Sequence, residues 1–228
     1  MVKCILIGAE GHMGRVVSGL LQSNPSYSLA CGVDICGDKA LSLEQAMAVD
    51  ADVILDFSHH SAVPDILDFA LKRKLPLLIA TTGHTEEEYA LIEKGAAHIP
   101  IWLCANFSPA MGWLSQTVKD AAAQFPLADV EILEAHRKGK ADAPGGTAKV
   151  LSHIISSAGK KSPAIHSMRL GHTVGTHSII FDTGEEQIIV THIVHRREAF
   201  AKGALEAAKI LLSKPIGLYT DFLLKERI

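Results

Sequence analysis

Several features that define particular protein classes are scarce in this chain. Only 5% of its 228 residues are aromatic, and its four cysteines form no CxxC pair, so a disulfide-stapled fold is not expected. The apolar run before Gly8 is too short for a signal peptide or a membrane span. The net charge of −3 gives no reason to expect a nucleic-acid partner. We therefore expect a cytoplasmic protein that binds neither nucleic acid nor membranes.

Apolar residues are abundant, at 48%, and in the first half short apolar runs alternate with helix-like stretches. A helix start is expected at Thr85, because a hydroxyl cap is followed by three glutamates that favour the free N–H groups of a first turn. This alternation predicts an α/β fold with a Rossmann-like parallel sheet and helices on both faces. The predicted strands are 2–7, 29–33, 53–57, 75–80 and 101–105.

The pattern changes after residue 107 and predicts a second, smaller α+β domain. Two strands with period-two alternation are joined by a hairpin turn at 182–185. The closing helix is expected to return to the first domain, so the domains are 1–107 completed by 197–228, and 108–196. The elements predicted in this half are helices at 109–124, 147–157 and 198–212, and strands at 130–135, 178–182 and 187–195.

Three glycines, Gly8, Gly11 and Gly14, follow the first predicted strand and precede a helix. Glycines there let the backbone turn tightly and let a pyrophosphate approach the N–H groups of a helix N-terminus. The spacing is GxxGxxG, not GxGxxG, but Asp34 follows at the distance from which a carboxylate binds the adenosine ribose. The alternative is a plain tight turn, with Asp34 capping a surface loop.

If a dinucleotide binds, Asp34 predicts that NADH is preferred over NADPH, because its carboxylate repels a 2′-phosphate. Ile35 and Cys36 provide no guanidinium to reverse that preference. Lys39 is close enough in sequence to weaken the preference, so NADPH is the second expected cofactor.

Further loops follow the carboxyl ends of predicted strands, where open α/β sheets bind ligands. These loops are 56–60, 81–83 and 105–108.

No metal site is predicted. His59 and His60 are adjacent, so their side chains diverge, and no cysteine or carboxylate cluster completes a ligand set. Other histidines could share a sheet face, but polar positions lining a cleft or a sheet surface explain them more simply. These residues are His153, His166, His172, His177, His192 and His195.

The segment 134–148, EAHRKGKADAPGGTA, concentrates basic residues in an acidic chain and suits a small anionic substrate. His136 titrates near neutrality and can exchange a proton, while Lys140 can pair with a carboxylate or supply a proton. The N–H groups of residues 145–147 open a helix and can bind a second carboxylate. Asp142 is a candidate helix cap. The alternative is a solvated basic turn.

Taken together, these motifs resemble the dihydrodipicolinate reductase family, the NAD(P)H-dependent enzymes of lysine and diaminopimelate synthesis. The resemblance covers nearly the whole chain, and the pattern EAHxxxKxDAPxGTA is highly specific. It implies reduction of 4-hydroxy-tetrahydrodipicolinate, dehydrated to dihydrodipicolinate, to tetrahydrodipicolinate. The motifs that carry it are 7–14, 56–58, 80–83, 105–108, 134–148, 169–177 and 191–204.

The resemblance also implies roles for individual residues. His136 and Lys140 match the catalytic histidine and the proton-donating lysine, and Gly146 and Thr147 match the binders of a substrate carboxylate. Arg137 replaces a second family histidine and is expected to bind the substrate dicarboxylate. The implied cofactor contacts are Gly8, Ala9, Glu10, Gly11, His12, Met13, Asp34, Ala80, Thr81, Thr82, Cys104, Ala105, Asn106 and Phe107.

The same resemblance implies that domain 108–196 binds substrate and also builds a homotetramer through strands near 178–195. Gly145 replaces a family serine, and activity is expected to survive this change. Arg169 and His177 are further candidate substrate contacts. Two other functions stay open: another two-domain NAD-dependent dehydrogenase of a small amino acid or semialdehyde, and a non-catalytic NAD-binding sensor.

Overall fold

The computed structural model describes residues 1–35, 40–159 and 161–222, so Cys36 and Lys39 lie outside the described residues. The chain divides into two compact units. The first comprises Met1–Ser108 and Glu198–Asp221, and the second is built on Pro109–Arg197. Within the described ranges, none of the helices combines the length and apolarity that a bilayer crossing requires.

The first unit contains a six-stranded sheet in which every pairing is parallel. Its spatial order is β10-β5-β4-β3-β1-β2, so the strand order reverses beside β1. The five predicted strands are confirmed, and the sixth, β10, was not predicted because it is short and only half-buried. The strands are β1 (Val2–Ile7), β2 (Tyr27–Val33), β3 (Val53–Asp56), β4 (Leu77–Ile79), β5 (Pro100–Leu103) and β10 (Gly217–Tyr219).

Helices cover this sheet, and its central strands are buried on both faces. The adjacent residues Ile5 and Leu6 point to opposite faces and are both fully buried, which explains the continuous apolar runs. The closing helix α7 packs against α1, and the hydroxyl of buried Tyr27 donates to the carbonyl of Leu205, 3.1 Å away. The helices are α1 (His12–Ser23), α2 (Leu43–Ala46), α3 (Val63–Arg73), α4 (Glu86–Gly95) and α7 (Glu198–Leu211).

The second unit contains a four-stranded sheet in the order β7-β6-β8-β9. Strands β6 and β7 are parallel and are joined through helix α6, whereas β8 runs antiparallel to both β6 and β9. The predicted hairpin between β8 and β9 is confirmed. The elements are α5 (Pro109–Gln124), β6 (Asp129–His136), α6 (Gly146–Ser157), β7 (Ala164–Arg169), β8 (Gly175–Asp182) and β9 (Gln187–Val194).

Candidate active site

The turn between β1 and α1 can be built only with glycine at two positions. Gly8 has a φ of +77°, and a Cβ there would lie 2.6 Å from the carbonyl oxygen of Phe57. A Cβ on Gly14 would lie 2.0 Å from the carbonyl oxygen of Gly8. Gly11 is the N-cap residue of α1 and offers no side-chain cap, so the first-turn N–H groups are available to an anion. This cradle fits the pyrophosphate of a dinucleotide.

Asp34 follows β2 and lies beside the same turn. Its Oδ2 accepts a hydrogen bond from the backbone N–H of Glu10 at 2.9 Å. The N–H groups of Gly8 and Ala9 donate to the carbonyl of Val33, at 2.9 and 3.3 Å. The fold therefore brings the carboxylate to the glycine turn, which is the arrangement that ribose recognition requires.

Asp56 is a fully buried carboxyl at the end of β3. Its Oδ1 accepts from the N–H and the hydroxyl of Ser58, and the hydroxyl of Thr81 donates to its Oδ2 at 3.4 Å. Burial is the largest influence and raises the pKa of Asp56 to about 6, against the hydrogen bonds, which lower it. Asp56 therefore ties together two loops of the first sheet's carboxyl edge, 56–58 and 80–82.

We expect this carboxyl to make stability depend on pH. Its folded pKa exceeds its ordinary value of 3.8, so between pH 4 and 6 the folded state holds a proton that the unfolded chain has released. As the pH rises from 4 to 6, the free energy of unfolding should therefore fall by on the order of 3 kcal/mol. Urea unfolding of the parent and of Asp56→Asn, which cannot titrate there, isolates this effect. A pH-independent difference between the two proteins would contradict it.

The turn after β5 carries four of the predicted cofactor contacts. Cys104 is buried, and its thiol donates to the carbonyl of Asn106 at 3.2 Å. Burial raises the pKa of Cys104 to about 12, so the thiol is neutral. Phe107 is also buried and packs edge-on against Trp102. Cys104 and Phe107 thus shape the turn from within, whereas Ala105 is partly exposed.

In the second unit, the end of β6 presents a glutamate–histidine pair. Glu134 is fully buried, and its Oε2 accepts from Nδ1 of His136. Its Oε1 accepts from Nη1 of Arg169 at 2.9 Å. Burial lowers the pKa of His136, although Glu134 opposes the shift, and the pKa of Glu134 is itself lowered by its hydrogen-bond donors against the effect of burial. At neutral pH the pair is a neutral imidazole that donates from Nδ1 to a carboxylate.

His136 and Lys140 converge on the start of helix α6. A Cβ on Gly145 would lie 3.3 Å from Cε and 3.6 Å from Nζ of Lys140, and 3.6 Å from Cε1 of His136. Gly145 is the N-cap residue and makes no side-chain cap, and Gly146 and Thr147 form the first turn. The Lys140 ammonium, the His136 ring and the first turn of α6 therefore border one small space, and the ammonium together with the helix N-terminus suits a carboxylate.

One expectation for the loop between β6 and α6 needs correction. Asp142 is not the helix cap, because the cap position belongs to Gly145; its carboxylate instead pairs with Nζ of Lys140. The Arg169 guanidinium donates to Glu134 and to loop carbonyls, and its contact with substrate stays a prediction. Arg137, by contrast, is exposed and curls over Gly139, where a Cβ would lie 2.6 Å from its Nη1.

His177 is 2% exposed, and neither ring nitrogen has a hydrogen-bond partner within the described part of the chain. It is the register partner of Glu134 on one side and of His192 on the other. Burial lowers its pKa to about 3, so the ring is neutral. It packs edge-on against His136, with ring centroids 5.3 Å apart. His177 therefore acts as a wall of the site.

Glu134, His136 and His177 have ligand atoms within 4.8 Å of one another, which is compatible with a metal ion. An ion there would have to replace the hydrogen bond between Glu134 and His136, beside the positive charge of Arg169. The absence of a metal site stays a prediction.

Sequence reasoning did not assign a role to Glu134, although the residue belongs to the motif at 134–148. In the structure its carboxylate accepts hydrogen bonds from both His136 and Arg169.

The comparisons with known proteins agree on one family. Sequence models of the N-terminus and the C-terminus of dihydrodipicolinate reductase match residues 2–107 and 111–222. The 4-hydroxy-tetrahydrodipicolinate reductase of Caldanaerobacter subterraneus subsp. tengcongensis is 36% identical, with 96% of each chain covered. The protein of the same name from Clostridium tetani is 33% identical, over 96% of this chain and 95% of its own.

Solved structures show the same fold. Dipicolinate-bound dihydrodipicolinate reductase from Paenisporosarcina sp. TG-14 matches with a TM-score of 0.76 and 22% identity, over 97% of this chain and 98% of that one. A probable dehydrogenase from Thermotoga maritima matches with a TM-score of 0.65 and 12% identity, over 96% and 91% of the two chains.

Proposed function

The chain belongs to the dihydrodipicolinate reductase family, and from that membership we propose which of its own residues carry out the reaction. The protein is an oxidoreductase that reduces 4-hydroxy-tetrahydrodipicolinate in the synthesis of lysine and diaminopimelate, with a pyridine nucleotide as cofactor. The observation that carries the assignment of the substrate site is the convergence of His136 and Lys140 on the uncapped start of α6.

The reaction adds a hydride to C4 of a cyclic conjugated imine with two carboxylates, formed by loss of water, and a proton to the neighbouring carbon. When bound, the pyridine nucleotide would supply the hydride. Lys140 and the N–H groups of Gly146 and Thr147 bind one carboxylate and stabilise the negative charge that develops as the hydride arrives. Arg137 is free to reach the second carboxylate, since its guanidinium is exposed.

The proton donor follows from the hydrogen bonds of His136. Because Nδ1 donates to Glu134 and the ring is neutral, Nε2 carries a lone pair and accepts hydrogen bonds. The ammonium of Lys140 is therefore the proposed donor to carbon, and Nε2 of His136 is placed to accept a hydrogen bond from the 4-hydroxyl group of the substrate before water is lost. Before substrate binds, Lys140 pairs with Asp142. A substrate carboxylate would therefore replace the Asp142 carboxylate as the partner of Lys140.

The cofactor contacts proposed in the first unit are those of the glycine turn, Asp34 and the loops 80–82 and 104–107. Asp34 supports a preference for NADH.

We expect Asp34→Ala to raise the Michaelis constant for NADH about tenfold, with little change in kcat, because the adenosine ribose does not take part in hydride transfer. Steady-state kinetics with NADH and NADPH test this. Asp68→Ala, which removes an exposed pair with Lys72, is the control; equal effects of the two changes would contradict the role of Asp34.

A homotetramer built through the second sheet is part of the proposal. The face opposite α5 and α6 exposes apolar side chains, among them Ile189 at 58% and Ile193 at 54% on β9, and such a face favours pairing between copies. Light scattering should give four chains for the parent and fewer for Ile189→Glu with Ile193→Glu. A monomeric parent would contradict the tetramer.

The free thiols of Cys4, Cys31 and Cys104 support a reducing, cytoplasmic setting.

Oxidation of NADH in the presence of substrate made freshly by the preceding aldol condensation tests the function. We expect turnover that depends on that substrate and stops when it is exhausted. Another dehydrogenase would instead turn over amino acids or semialdehydes, and a sensor would bind NADH without oxidising it. Either result would contradict the proposal.

A further inference from the structure

One arginine and one glutamate connect the side chain of His136 to the backbone of the loop that carries Lys140. Glu134 contacts His136 through one carboxylate oxygen and Arg169 through the other. Arg169 is the last residue of β7, directly opposite His136 in the parallel register. The three side chains therefore form one network on the inner side of the β6–β7 pair.

The donors of Arg169 are directed to the backbone of the loop that carries Lys140. Its Nε donates to the carbonyl of Lys140 at 3.3 Å, and its Nη2 donates to the carbonyl of Asp142. Its Nη1 donates to Glu134 and also to the carbonyl of Met168 at 2.8 Å. A planar guanidinium can satisfy these separate acceptors at once, whereas an ammonium cannot.

We propose that Glu134 and Arg169 are the positioning residues of this enzyme. Glu134 holds the proton of His136 on Nδ1 and thereby leaves Nε2 as the nitrogen that faces the substrate. Arg169 fastens the Lys140 segment to the same carboxylate. The side chain of His136 and the backbone of Lys140 thus share one buried anchor, and this inference rests on the proposed function for its catalytic consequence.

The surroundings of the ring agree with this arrangement. His177 packs edge-on against His136 and, being neutral, adds no competing charge. On the Nε2 side the neighbour is Gly175, where a Cβ would lie 3.4 Å from Nε2. The site therefore restrains Nδ1 by a hydrogen bond and one side of the ring by a histidine, while a glycine keeps Nε2 accessible.

Glu134→Gln tests the first half of the proposal. The amide keeps the shape of the side chain but both donates and accepts, so it no longer dictates which ring nitrogen is protonated. We expect ¹⁵N NMR to show His136 of the parent protonated on Nδ1 and the variant as a tautomer mixture. In the variant kcat should fall at least about tenfold, with the Michaelis constant for NADH unchanged. A changed tautomer with kcat within about twofold of the parent, or an unchanged tautomer, would overturn the role of Glu134.

The matched control is Glu131→Gln. Glu131 lies on the same strand but on its outer face, where it pairs with half-exposed His166, so we expect no change in kcat or in the His136 signals. An effect as large as that of Glu134→Gln would show a general response of the sheet and overturn the proposal. Failure of the parent to reduce the substrate would contradict the proposed function, while the NMR result would still decide the role of Glu134.

Arg169→Lys tests the second half and is informative even if Glu134→Gln does not fold. Lysine keeps the charge beside Glu134 but cannot reach both loop carbonyls. We expect the Michaelis constant for the dicarboxylate substrate to rise about tenfold and kcat to fall, with the His136 tautomer unchanged. Parent-like kinetics in this variant would overturn the role of Arg169.

Discussion

Lys140→Ala is expected to lower kcat by about 10²- to 10³-fold. Removing the ammonium takes away the proposed proton donor, and a positioned general acid contributes rate enhancements of about this size. The same change removes one of the groups that bind a substrate carboxylate, so the Michaelis constant for the substrate should rise as well. Stopped-flow and steady-state measurements of NADH oxidation separate the two effects.

Lys138→Ala is the matched control for this prediction. Lys138 belongs to the same basic loop, but it is exposed, and its backbone N–H donates to Gly171. Its removal lowers the positive charge of the loop as much as the loss of Lys140 does. We expect less than about a threefold change in kcat. Equal losses in both variants would mean that the loop acts only through its net charge.

Gly14→Ala is the second change for which we expect a large effect. The new methyl group would lie 2.0 Å from the carbonyl oxygen of Gly8, so the turn between β1 and α1 must move. We expect NADH to bind at least about tenfold more weakly and the free energy of unfolding to fall by about 1–3 kcal/mol. Fluorescence titration with NADH and urea unfolding measure the two quantities.

Gly19→Ala provides the control on the same helix. A Cβ at Gly19 meets nothing within 4 Å, so alanine there should raise stability by about 0.5–1 kcal/mol through its higher helix propensity. NADH affinity should remain that of the parent. Weakened NADH binding in both variants would contradict a specific role for the glycine turn.

The sequence predicts the first sheet well because its strands are buried on both faces and therefore appear as continuous apolar runs, such as residues 4–7. Strand β7 was not predicted. It lies at a sheet edge with most of its residues exposed, so its sequence, AIHSMR, carries no apolar run. Strand β8 begins at Gly175, three residues earlier than predicted. Its first three residues are glycine, threonine and histidine, which do not form an apolar alternation.

In the site, residue type and spacing predicted the basic loop but not its internal pairings. Aspartate is a residue type that commonly caps helices, but Gly145 occupies the cap position of α6. The Asp142 carboxylate pairs with Lys140 instead. Arg169 is far from the loop in sequence, and only the parallel pairing of β6 with β7 brings it opposite His136. Contacts that depend on strand register cannot be derived from a local pattern.

The central claim is that the space between His136, Lys140 and the start of α6 binds a substrate carboxylate. A crystal structure of the protein with NADH and pyridine-2,6-dicarboxylate tests it most directly. We predict one carboxylate within hydrogen-bond distance of Nζ of Lys140 and of the N–H groups of Gly146 and Thr147. A dicarboxylate bound elsewhere, with Lys140 still paired to Asp142, would contradict the claim.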